Sequence, residues 1–159
     1  MGTPQDDLRR GRAAAGSSAL TLREPKPDDA DAIAALLGEL DYPSSAEQAA
    51  ERIERIAADP STLLLVAEVG GELAGLAVLH VQNLVERDEP GCELAGMVVG
   101  NRFRRQGIGE QLMEAIEAEA RARGGKTLVL NTAHRRAGAH AFYEALGYEH
   151  TGRRYVKEL

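Results

Sequence analysis

Two apolar runs, Leu63 to Val69 and Leu73 to Val81, are joined by the dipeptide Gly70-Gly71. Two consecutive glycines accept the positive φ angles of a tight reversal, so the runs must lie side by side as an antiparallel hairpin. A third apolar run, Cys92 to Val99, extends the series after a charged loop from Leu84 to Pro90, and Leu20 to Arg23 reads as a short first strand. Helical spacing marks the stretches around these strands. Ile33, Leu36, Leu37 and Leu40 follow a candidate N-cap at Asp28, and Ala49, Ile53, Ile56 and Ala57 follow Ser45-Ala46-Glu47-Gln48, which has capping-box form. Ile108, Leu112, Ile116 and Ala120 make the stripe of a long helix that Gly124-Gly125 ends. Lys126 to Asn131 then reads as a strand, Ala137 to Leu146 as a short helix closed by Gly147, and Tyr148 to His150 and Arg154 to Lys157 as two last strands. This order describes a single α+β domain over residues 19–159, preceded by a polar, aperiodic and disordered tail over residues 1–18.

The segment with most chemical content is Val98-Val99-Gly100-Asn101-Arg102-Phe103-Arg104-Arg105-Gln106-Gly107-Ile108-Gly109, set between an apolar strand and an amphipathic helix. Gly107 and Gly109 allow a sharp turn and remove side chains from a ligand's approach. Successive N–H groups and the helix N-terminus then form a concavity suited to a pyrophosphate, with Arg102, Arg104 and Arg105 at its rim. A dinucleotide fingerprint fails because Leu112 stands where its third glycine belongs, and a Walker loop fails because no Gly-Lys-Ser/Thr follows. Net charge is −6, from 19 Lys and Arg against 25 Asp and Glu, and there are two Phe and no Trp. That combination disfavours nucleic acid as a partner. No apolar stretch is long enough for a membrane span, the N-terminal residues lack a signal-peptide core, and the single Cys92 suits a reducing compartment. A cytoplasmic protein is expected.

Arg104-x-x-Gly107-x-Gly109 resembles the pyrophosphate-binding motif of the GNAT (GCN5-related) N-acetyltransferases. Val98-Val99 matches the end of that family's fourth strand, and Ala139-His140-Ala141-Phe142-Tyr143-Glu144-x-Leu146-Gly147-Tyr148 is similar to its C-terminal helix and glycine. The order of elements from Leu20 to Leu159 agrees as well. The resemblance implies the family's mostly antiparallel mixed sheet with a splayed strand pair, flanked by about four helices, and acetyl-CoA as cosubstrate without a metal. It implies that backbone groups of Met97, Val98 and Val99 bond the pantetheine arm. The N–H groups of Arg105, Gln106, Gly107, Ile108, Gly109 and Glu110 would hold the pyrophosphate, with Arg104 opening the motif. Where the family often carries Asn, seven residues before the tyrosine, this chain has Arg136, and Asn131 is the candidate substitute.

Acetylating an amine requires a base for the ammonium and an acid for the departing thiolate. Glu93, eleven residues before Arg104, is the candidate base, and burial in an apolar strand is expected to raise its pKa. Glu86, Asp88 and Glu89 are substitutes. The resemblance places Tyr143 beside the sulfur as the acid. Cys92 faces away from Glu93 and reads as buried filler. His134 and His140 are six apart and lack the spacing of a helical metal site. The reading is an N-acetyltransferase acting on a primary amine, small-molecule or peptide, by direct transfer in a ternary complex. The alternative is an acyl-CoA-binding sensor without catalysis. The resemblance also raises a possible homodimer.

Overall fold

A computed structural model of the chain describes residues 18–132 and 137–159. The chain order is β1 (Leu20–Arg23), α1 (Ala30–Glu39), α2 (Ala46–Ala57), β2 (Thr62–Val69), β3 (Glu72–Gln82), β4 (Gly91–Val99), α3 (Ile108–Ala122), β5 (Leu128–Leu130) and α4 (Ala137–Ala145). The five strands form one sheet in sequence order. All pairings are antiparallel except β4 with β5, which is parallel across the α3 crossover. Gly70 and Gly71 turn the central hairpin with φ of 59° and 82°, the left-handed conformations of a two-residue reversal.

Each face of the sheet is covered. On one side α3 lays Leu112, Met113 and Ile116, all at most 1% exposed, against Leu79, Cys92 and Leu94. On the other side Ile33 and Leu36 of α1 and Ala49 and Ile53 of α2 pack on Leu64, Val66, Leu76 and Val98. Ser45 caps α2 as its sequence requires: the Gln48 N–H donates to Ser45 Oγ at 3.1 Å, and the Ser45 N–H donates to Gln48 Oε1 at 3.0 Å. The first helix starts later than Asp28 predicts. Pro27–Asp29 forms a 3₁₀ turn, and Asp29 is the N-cap. Its carboxylate accepts from the Lys26 N–H at 2.6 Å and from the Arg23 guanidinium at 2.7 Å, while Arg23 also reaches Glu68 of β2. The Arg23 contact holds the Asp29 carboxyl below its ordinary range against the opposing effect of burial.

Two expectations about the C-terminal third need correction. β5 is shorter than Lys126–Asn131, because its partner run on β4 ends at Leu94. The two final strands do not form: residues 148–159 belong to no regular element. Tyr148, where the segment starts, is fastened to Glu117 of α3 by a 2.8 Å hydrogen bond. The tail predicted over residues 1–18 lies, apart from Ser18, outside the described residues.

Leu112→Ala, at a site with no solvent exposure, is expected to cost about 2–5 kcal/mol, read as a lowered urea midpoint. Asp29→Asn is expected to destabilise at neutral pH. That difference is present above the ordinary carboxyl value of 3.8 and fades as pH falls through the depressed Asp29 pKa, so the two unfolding midpoints should converge in acid.

Candidate active site

The site begins with an irregularity in β4. Val78 pairs with Gly96 and Leu79 with Leu94, so Ala95 is the extra residue of a bulge. Before it, Cys92 and Leu94 face α3; after it, Val98 faces α1 and α2, while Met97 and Val99 pack toward α3. Beyond the bulge β4 also loses β5. Their ladder covers only Cys92, Leu94 and the residue between them, whereas β4 runs on to Val99. A wedge therefore opens between the strands, with the backbone of residues 95–99 along one side. Gly100 donates its N–H to Ala74 of β3, and the Val98 carbonyl lies toward Gly75 of β3. Strand alternation then turns the backbone groups of Met97 and Val99 into the wedge and those of Val98 away from it. An arm lying in the wedge would meet the backbone of Met97 and Val99, and the Val98 side chain is a core one, 6% exposed.

The glycine loop follows. Asn101–Phe103 makes one 3₁₀ turn, held to α1 by the Asn101 N–H donating to Glu39 Oε2 at 2.8 Å. Arg105 at φ 60° and Gly107 at φ 78° both adopt left-handed backbone, which folds the chain tightly into α3. Gly107 is the N-cap and has no side chain to accept from the first N–H groups of this 15-residue helix. A Cβ at Gly107 would meet nothing within 4 Å, so the space beside this N-cap is open. Gly109 has a different task from the one its spacing suggests. A Cβ there would stand 3.2 Å from the Phe142 ring, so this glycine seats α4 on α3 and does not clear space for a ligand. Of the three arginines, Arg102 pairs with Glu72 and lies over the Phe103 ring, away from the rim. Arg104 donates through Nε to the Val99 carbonyl at 3.2 Å. Arg105 is exposed, and Gln106 donates to the Arg102 carbonyl.

Glu93 and Tyr143 approach the wedge from opposite faces of the sheet. Glu93, half-buried, lies on the α1/α2 face, where Asn131 Nδ2 donates to its Oε1 at 3.1 Å across the mouth of the wedge. Asn131, expected as a contact for the arm, thus holds the carboxylate. Tyr143 comes from the α3 face, edge-on to Phe142 at 5.2 Å and to Tyr148 at 5.9 Å between ring centroids. Tyr148 is itself fixed: its hydroxyl donates to Glu117 Oε1, and burial together with that carboxylate pushes its pKa well up. The clamp Glu117–Tyr148–Tyr143 was invisible to sequence reasoning, since nothing in the spacing of Glu117 distinguishes it from the other carboxylates of α3.

Other candidates take lesser places. Glu86, Asp88 and Glu89 sit where β4 begins, the end opposite the glycine loop, and Glu89 lies 3.8 Å from Lys126. Cys92 is 2% exposed with its sulfur 4.0 Å from the Ala120 carbonyl, and burial raises its pKa. His134 and Arg136 lie outside the described residues; His140 is half-buried on α4. No group of three metal-ligating side chains occurs among the described residues. On the α1/α2 face a cavity of about 390 Å³ is walled by Leu37, Ile53 and Ile56, with Ser44 and Arg52 at its polar side and Val78 in its floor. Val78 is the cross-strand neighbour of Gly96, so the cavity lies on the same face of the sheet as Glu93.

A strand pair that parts beside an uncapped helix, with Glu93 and Tyr143 on opposite faces of the opening, has the form of a coenzyme A-dependent acyltransferase site. The model of the Acetyltransferase (GNAT) family matches residues 30–148. The aminoalkylphosphonate N-acetyltransferase of Salmonella typhimurium is 32% identical over 143 residues, covering 87% of this chain and 90% of that protein. An aminoglycoside N(6')-acetyltransferase type 1 of Stenotrophomonas maltophilia is 29% identical over 86% of this chain and 91% of its own length. In fold, the chain is similar to the aminoglycoside N-acetyltransferase AAC(6')-Iy solved in complex with CoA, with TM-score 0.80 and 19% identity over 92% of this chain and 98% of that one. The chain belongs to the GNAT acetyltransferase family. It is an acetyl-CoA-dependent acetyltransferase. No helix among the described residues is long and apolar enough to cross a membrane.

The two glycines should fail differently. Gly107→Val forces a branched side chain into left-handed backbone, an expected cost of about 1–3 kcal/mol, and fills the open space; calorimetry should show weakened acetyl-CoA binding. Gly109→Ala presses on Phe142 and should lower turnover more than it lowers CoA affinity.

Proposed function

We propose that this enzyme acetylates the primary amine of a small molecule by direct transfer within a ternary complex, with no acyl-enzyme intermediate. The observation that carries the reading is the wedge between β4 and β5, flanked by Glu93 on one face and Tyr143 on the other. The thioester, when bound, supplies the acetyl group and a thiol leaving group. The wedge fits it: Met97 and the Val99 N–H have no strand partner on the β5 side, while the Val99 carbonyl already accepts from Arg104, and the N–H groups from Arg105 to Glu110 would hold a pyrophosphate beside the open space at Gly107.

Each residue has a defined task. Glu93, oriented through Oε1 by Asn131, keeps Oε2 to accept a proton from the incoming ammonium, directly or through one water. The Val99 N–H faces the wedge and donates to the carbonyl oxygen as negative charge develops there. Tyr143, held by Phe142 and Tyr148, gives its proton to the departing sulfur. Base and acid lie on opposite faces, so acceptor and donor enter from opposite sides and neither must leave before the other binds. The relatives named for aminoalkylphosphonate and aminoglycoside acetylation both act on small amines, which supports a small acceptor over a peptide. The acceptor would lie near Gly96, where an added Cβ would meet nothing within 4 Å. We place the reaction in the cytoplasm, where the single Cys92 stays reduced.

Thiol release from acetyl-CoA over a panel of amines tests the reading. Glu93→Gln should reduce kcat/KM roughly 10²-fold or more at neutral pH, with the loss shrinking at alkaline pH where the free amine is abundant. Tyr143→Phe should lower kcat with CoA affinity nearly unchanged. CoA binding without turnover on every amine would instead support a sensor.

A further inference from the structure

Three arginines among the described residues are half-buried: Arg23, Arg52 and Arg123. Drawing a guanidinium part-way out of water costs free energy, which a carboxylate offsets. Arg23 has two such partners, Asp29 and Glu68, and Arg123 has Glu119. Arg52 has none among the described residues. Its Nη1 donates instead to the neutral Ser44 Oγ at 2.7 Å, and Ser44 in turn donates to the Tyr42 carbonyl at 3.1 Å. The loop between α1 and α2 therefore fixes one corner of the guanidinium. The other N–H groups of its fork have no protein acceptor among the described residues.

Arg52 and Ser44 border the cavity of about 390 Å³ on the α1/α2 face, whose walls at Leu37, Ile53 and Ile56 are apolar. Asp41 borders it too and forms no ion pair with Arg52. Sheet register relates this cavity to Glu93. The floor residue Val78 pairs with Gly96, and the next rung on the same face pairs the exposed His80 with Glu93. Two residues of strand, roughly 7 Å, separate these rungs. A Cβ at Gly96 would meet nothing within 4 Å, so the rung at the cavity floor has open space above its β4 end.

We propose that the acceptor is an amine carrying an oxyanion, a carboxylate or phosphate group, at the far end of an apolar spacer several carbons long. The amine lies at Glu93, the spacer passes over Gly96 and Val78 into the cavity, and the oxyanion takes the remaining donors of Arg52. A planar guanidinium offers parallel N–H groups to two oxygens of one anion, which suits this group better than a lone hydroxyl does. The spacer buries its carbons against Leu37, Ile53 and Ile56. The amine end of this acceptor rests on the acetyl-transfer reading; its oxyanion end does not.

Four amines with one spacer and different far ends make the test: ω-aminohexanoate, aminohexyl phosphate, hexylamine and hexamethylenediamine. Calorimetry with and without CoA should show an anionic amine binding roughly tenfold or more tighter than hexylamine, the return of a charge-assisted hydrogen bond, and the diamine no tighter. The two anionic arms decide between carboxylate and phosphate. Thiol release from acetyl-CoA should rank kcat/KM in the same order. Arg52→Gln should erase the ranking in both measurements, with acetyl-CoA affinity and circular dichroism matching the parent. Should that variant fail to fold, Arg52→Lys keeps the charge without the fork and should raise the KM of the anionic amine severalfold. Tight binding of the anionic amine without turnover supports the oxyanion subsite and sinks the acetyl-transfer reading. Equal binding of all four overturns the proposal. So does a preference for the diamine, which would give the far end to Asp41, or an anion preference that survives Arg52→Gln.

Discussion

β4 cannot serve two neighbours along its whole length. It keeps β3 throughout, from the pair Gln82–Gly91 to the pair Gly75–Val99, but holds β5 for three residues only. The bulge at Ala95 changes its pleat, and β5 does not follow. Unpaired backbone is costly inside a protein, so the opened length of β4 must be satisfied by solvent or by something shaped like a strand. The pantetheine arm, with amides spaced along an extended chain, suits that vacancy. The same parting leaves side chains from both faces of the sheet beside one opening.

The elements around the wedge exist to hold it open and aimed. α3 crosses from β4 to β5 and fixes their distance through Leu112, Met113 and Ile116. Its first turn is left uncapped, so the helix dipole and free N–H groups face the ligand space. α4 rests on that same turn through Phe142 against Gly109, and Glu117 reaches from α3 to Tyr148 beyond the end of α4. Tyr143 therefore sits on a helix clamped at both ends. On the other face Asn131 spans the opening to Glu93, so that carboxylate is oriented by the residue that follows β5.

Much of this was legible in the residues. The hairpin at Gly70-Gly71, the box at Ser45 and Gln48, and the stripe from Ile108 to Ala120 are local signals, and local signals suffice for elements that pack by periodicity. The family's glycine motif likewise announced the loop. What escaped were relations set by tertiary distance. Gly107 and Gly109 look alike in a string, and only the Phe142 ring separates their tasks. Val98 was grouped with Met97 and Val99 because a motif does not state which way a carbonyl points. The final residues carry strand-forming side chains, but a strand needs a partner ladder, and residues 148–159 have none.

Cys92 has a practical consequence for anyone handling the protein. It is the chain's one thiol, pressed beneath the Ala120 carbonyl with its pKa raised by burial. A colorimetric disulfide reagent added to the folded enzyme meets no reactive sulfur of its own, so the colour it develops counts released coenzyme alone. Warmed or treated with denaturant, the same sample yields one new equivalent per chain, which makes the buried sulfur a built-in gauge of how much protein has come undone.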